Sequence, residues 1–187
     1  MSLRIVIICM FLTQPVFAHS GDASGLASGF LHPILGLDHL VAMVAVGIIG
    51  AVVGGKAIWL LPTYFPVVMA IGGVLGIKGV PLPYAEVLIA LSVVVFGMVI
   101  AVYRPISMLA AGMLVSFFAL FHGHAHGVEL PEATAPVEYC IGFVLATGLL
   151  HAAGISISLL DRKKFGKNVL RAIGAFISAS GLYFLLA

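Results

Sequence analysis

The chain has 187 residues, of which 62% are hydrophobic and only 9% charged, and its mean hydropathy is +1.23. A soluble domain keeps about 25% of its residues charged, so this composition excludes one and leaves an all-α protein that crosses a membrane several times. The net charge of +2, from 9 Lys+Arg against 7 Asp+Glu, supplies no basic stripe for nucleic acid, and 2 cysteines are too few for a secreted disulfide scaffold.

In chain order, a short charged start ending at Arg4 precedes the apolar run Ile5 to Leu12, then Val16 and Ala18 at −3 and −1 before His19. This pattern reads as a signal peptide over 1–18, cleaved after Ala18. The competing reading is an uncleaved first helix, for which the run falls short of the ~20 residues a span needs. Cleavage would make His19 the mature N-terminus, where α-amine and imidazole together form a chelate that favours copper and nickel. It would also remove Cys9 and leave Cys140 alone, so no intrachain disulfide is expected.

Residues 19–187 then read as one transmembrane domain of six helices, at 33–54, 58–77, 84–103, 106–127, 137–160 and 169–186. With the mature N-terminus outside, the inner loops hold Lys56, Arg104, Arg162, Lys163, Lys164 and Lys167, with Arg171 just inside the last span. The outer loops hold only Lys78. The bias places the chain in a bacterial inner membrane with a periplasmic N-terminus. Asp22, Glu86, Glu129, Glu132 and Glu138 gather on the outer face, a negative mouth for cations. Gly50-x3-Gly54, Gly72-x3-Gly76 and Gly123-x3-Gly127 have the spacing that lets helices approach closely. The stretch from Gly50 to Lys56 approaches a phosphate-binding loop, but Ala57 stands where Ser or Thr is needed and a helix precedes it, so it is a helix end. Transport, if it occurs, is not driven by ATP at this chain.

Two polar clusters interrupt the apolar spans. The first runs from His32 to His39, with Pro33 at the first helical position and Asp38 beside His39 one to two turns down. On a straight helix His32, Gly36, His39 and Met43 share a stripe, and His32 and His39 stand ~10 Å apart along the axis. Without a bend they serve successive stations or different ions. The second cluster holds His122, His124, His126 and Glu129. His122 and His126 share a helix face that Glu129 continues, which is a divalent-metal arrangement. His124 points elsewhere, toward the vestibule. His151 is either structural or a lower station on an ion path. Glu86 and Glu138 are helix-dipole partners or ion guides, and Met43 is packing or a soft ligand.

The motif His-x5-Asp-His at His32, Asp38 and His39, and the motif Phe-His-Gly-x-Ala/Val-His-Gly-x-Glu at Phe121, His122, Gly123, Ala125, His126, Gly127 and Glu129, resemble those of the HupE/UreJ family of hydrogenase and urease accessory membrane proteins. His124 occupies a free position of that motif. The resemblance implies a nickel permease, and with it His32, Asp38, His39, His122, His126 and Glu129 as the metal residues, His19, His124, His151 and Glu86 being secondary.

The expected function is therefore a secondary permease for a divalent transition metal, moving it from periplasm to cytoplasm. Nickel is the first choice and copper, cobalt or zinc the alternatives, because imidazole and carboxylate donors suit all four. Lipid and the metal ion are its partners, with a cytoplasmic metallochaperone and a homo-oligomer compatible with it. Its ligands bind only when deprotonated, so uptake is expected to weaken as external pH falls through the histidine range near 6.5. The rivals are a zinc-dependent intramembrane hydrolase and a metal-binding sensor. The hydrolase lacks a His-Glu-x2-His signature and the sensor lacks an output domain.

Overall fold

The computed structural model describes residues 25–130, 135–162 and 166–187, without the side chains of 161 and 162. The expected signal peptide, Cys9, His19, Asp22, Glu132, Lys163 and Lys164 lie outside the described residues. Within them the chain is all-helical: α1 (Gly25–Leu35), α2 (Leu37–Val53), α3 (Ala57–Ile77), α4 (Ala85–Val102), α5 (Met108–Glu129), α6 (Pro136–Ser158), a 3-10 turn (Leu159–Arg162) and α7 (Gly166–Leu186). Helices α3 to α7 are each long and apolar enough to cross a membrane, and α1 with α2 would make a sixth, broken span. The outward faces are apolar, as a membrane-facing surface requires: Trp59, Leu109 and Phe176 are all exposed.

The first span departs from its expected form. Helix α1 begins at Gly25, so Pro33 lies inside it rather than at the first helical position, and the axis turns by 80° between α1 and α2. Two residues account for the break. Pro33 cannot donate a backbone hydrogen bond, and Gly36 is a poor helix former. Gly36 takes extended backbone (φ −75°, ψ 101°), its N–H donating to His32 O at 3.1 Å while its own O accepts from Leu40 N–H at 2.8 Å. The stripe expected on a straight helix is therefore folded back on itself.

Glycine notches set the helix pairing. A Cβ on Gly72 or Gly76 would collide with the carbonyls of Leu120 and His124, and one on Gly123 or Gly127 with those of Met69 and Gly73. The two small-x3-small motifs thus face each other, clamping α3 against α5. Gly47 and Gly154 do the same where α2 crosses α6. In Gly50-x3-Gly54 only Gly50 packs, where a Cβ would meet Ala57 O at 3.0 Å, while Gly54 ends α2 at φ 77° and opens, with Gly55 at φ 54°, the turn that carries Lys56. Helix α2 is the centre of the bundle, with Met43, Val46, Ile48 and Ile49 buried.

The turns alternate between the two ends of the bundle. Lys56, Arg104 and the start of α7 mark the basic end, where Arg171 Nε donates to Ala101 O at 3.1 Å and Lys167 lies 5.9 Å over the Tyr103 ring. The histidines crowd toward the other end.

Candidate metal centre

On α5, Ser107 caps the helix start by accepting from Ala110 N–H at 3.1 Å, and the helix runs unbroken to Glu129. His122 and His126, one turn apart, both face inward and both are buried. His122 Nδ1 lies 3.0 Å from Phe118 O. A carbonyl only accepts, so Nδ1 carries the proton and Nε2 holds a free lone pair with no protein partner. His126 has no hydrogen-bond partner at either nitrogen.

The α1–α2 break brings the other cluster to the same place. His39 Nδ1 sits 2.7 Å from Asp38 Oδ1, which also accepts from His39 N–H at 2.8 Å. The carboxylate therefore fixes the ring orientation and tautomer and leaves the buried Nε2 unpartnered, the arrangement carboxylates impose on metal-binding histidines. The His39 ring lies 4.5 Å from His126 and 5.2 Å from His122 between centroids. His32 stands 4.8 Å from His126 and, because of the 80° turn, only 6.2 Å from His39. The separation expected for successive stations is thereby removed.

Glu129 closes the centre from its open side, its Oε2 lying 3.6 Å from His32 Nε2. His32, His126 and Glu129 each present a ligand atom within 4.8 Å of the others. Nitrogen donors sit ~2 Å from an ion, so donors sharing one are within ~4 Å of each other, somewhat closer than these three stand. A buried polar atom without a hydrogen bond costs about 1–3 kcal/mol. Four such imidazole nitrogens (one each on His39 and His122, both on His126) meet beside a half-exposed carboxylate, a donor group that could hold a metal ion.

The remaining sequence candidates separate. Glu86, exposed in the first turn of α4, is near enough to act electrostatically on Glu129, as is Asp38. His124 turns away from the centre: its Nε2 donates to Val80 O at 2.7 Å, tying α5 to the α3–α4 connection rather than facing a vestibule. Glu138 is exposed at the start of α6. Met43 is buried and accepts from Thr147 Oγ1 at 3.4 Å. His151 is buried further toward the basic end, beyond the Phe65 ring.

Sequence reasoning missed the aromatic wall. Phe143 packs 4.5 Å from the His126 ring, Tyr139 lies 5.9 Å from His32, and Phe65 lies 5.4 Å from His122. Nothing distinguishes these rings from other apolar residues in the sequence, except that Phe65 sits between Pro62 and Pro66 in α3.

The fold and centre define a multi-pass membrane protein with a histidine–carboxylate cluster near one end of its helix bundle that could hold a metal ion. Residues 7–184 match the family described as HupE / UreJ protein. The chain is also 44% identical over 178 residues to Protein HupE of Rhizobium leguminosarum bv. viciae, covering 94% of this chain and 93% of that one. It belongs to the HupE/UreJ family. No solved structure matches it.

Proposed function

We propose that this chain is a secondary permease that carries a divalent transition metal, nickel first, from the periplasm into the cytoplasm. The observation that carries the reading is the convergence of His32, His39, His122, His126 and Glu129, with buried nitrogens that no protein group satisfies. Glu86 and Glu129 attract the hydrated cation. Glu129 with His32 and His126 takes it from water, and His39 and His122 draw it inward as it sheds its shell. Asp38 acts as a positioning carboxylate, because its Oδ1 is committed to His39.

Direction follows from charge. Lys56, Arg104, Lys167 and Arg171 stand at the end opposite the centre, which supports a cytoplasmic basic end and a periplasmic metal entrance in an inner membrane. The donor set alone suits nickel, copper, zinc or cobalt, and membership of a family of hydrogenase and urease accessory proteins favours nickel.

The test is competitive uptake of Ni, Co, Cu and Zn by proteoliposomes holding the purified chain, with elemental analysis of the same preparation. Nickel uptake lost in His39→Ala and Asp38→Asn at equal protein levels is the expected result. Unchanged uptake in both variants would remove the mechanism.

A further inference from the structure

Below the centre, the Phe65 ring lies edge-on between two imidazoles, 5.4 Å from His122 and 5.6 Å from His151. Phe65 is fully buried and His151 nearly so. His151 hydrogen-bonds the Pro62 carbonyl, an acceptor left vacant because Pro66 one turn later has no N–H to give it. Its Nε2 is buried with no partner. Two more donors stand on the same route. Met43 is one turn beyond His39 on α2, Thr147 is one turn before His151 on α6, and the Thr147 hydroxyl touches the Met43 sulfur at 3.4 Å. The Gly47–Gly154 crossing holds these two helices backbone to backbone at that level.

The buried Nε2 of His151 has no partner, as is true of His124 Nδ1, and what sets His151 apart is a hydroxyl one turn away on its own helix that contacts a thioether on the next. We infer that His151, Met43 and Thr147 form a second station for a dehydrated, borderline-to-soft divalent ion, which Phe65 partitions from the entrance centre. The inference rests on the transport reading. A softer donor set below a harder one suits an ion moving inward: the carboxylate-bearing entrance captures it, and the inner shell offers enough affinity to draw it on without trapping it.

The experiment uses the full chain carrying Cys9→Ser and Cys140→Ser, reconstituted in proteoliposomes, with Co²⁺ as probe. In His151→Ala, Co²⁺ entry is expected to fall by at least about tenfold, while Co²⁺ titration of the purified protein changes by less than about twofold, since the entrance donors are untouched. In His151→Cys, Co²⁺ is expected to raise a thiolate-to-cobalt charge-transfer band in the near ultraviolet, a signature that a packing role cannot produce. Met43→Leu conserves volume and removes only the sulfur, so its flux is expected to fall about threefold with folding retained. Wild-type flux in His151→Ala, or a His151→Cys protein saturated with Co²⁺ and lacking the band, overturns the second station and leaves the permease reading standing. A parent chain that neither binds nor passes Co²⁺, Ni²⁺, Cu²⁺ or Zn²⁺ overturns the permease reading itself.

Discussion

His122 and His126 stand four residues apart on an uninterrupted helix, and the 3.6-residue turn alone puts them on one face. His32 and His39 stand seven apart, and they approach each other across an 80° turn made at Gly36. The first pair depends on regularity and the second on its failure. One consequence is asymmetric tolerance: α5 contributes donors through a rigid rod clamped to α3, whereas the α1–α2 side holds its donors through one hinge and one carboxylate. A change on α5 removes a donor outright; a change on the other side misaims one.

The largest effect is expected on the rigid side. His126 lies against both His32 and His39 and offers two unpartnered nitrogens, so His126→Ala removes the α5 residue with the most ring contacts to the α1–α2 side. Nickel affinity by titration is expected to fall by about 100-fold or more, with helical circular dichroism unchanged. A fall of only a few fold would mean that the α1–α2 side binds alone. On the hinged side, Asp38→Asn keeps the shape and the acceptor but loses the charge that fixes the His39 tautomer. Affinity is expected to fall about tenfold, less than for the lost donor. An equal or larger fall would instead make Asp38 a direct ligand.

The hinge itself is tested by Gly36→Ala. A Cβ there would lie 3.3 Å from His39 Nδ1 and 3.4 Å from Asp38 Oδ1, and alanine favours a continuous helix by about 1 kcal/mol. That bias shifts the bent arrangement about fivefold toward a straight one, in which His32 and His39 separate to ~10 Å along the axis. Nickel affinity is expected to drop by up to about that fivefold, the full drop requiring the straight form to become the major one. A drop well beyond fivefold would show that the added Cβ also displaces the Asp38–His39 pair.

These cases also show what the sequence makes legible. Spans α3 to α7 fall within a few residues of the expected bounds, because a run of ~20 apolar residues is a physical requirement of the bilayer. The facing of Gly72/Gly76 with Gly123/Gly127 was implicit in their spacing, although nothing in either stretch says which motif meets which. The break after Pro33 was hidden because proline reads equally as a helix start or a helix interruption, and only the helical stretch from Gly25 decides between them. Phe65, Tyr139 and Phe143 could not be picked out, since an aromatic ring against a ligand and one against lipid are the same letter. His124 was the reverse case: it stands inside the most informative motif, and its backbone partner Val80 is 44 residues away.

His124 therefore supplies the smallest predicted effect and the sharpest control on the comparison. It lies on α5 between His122 and His126 but points away from both, and its single hydrogen bond holds the connection between α3 and α4. His124→Ala is expected to leave nickel affinity within about twofold, because no donor of the centre touches it. The lost hydrogen bond, worth about 1 kcal/mol, is expected to lower the thermal midpoint by about 2–4 °C. If His124→Ala weakened binding as much as His126→Ala, then a ligand would stand on the outer face of α5. The two sides of the break would then no longer be enough to describe the centre.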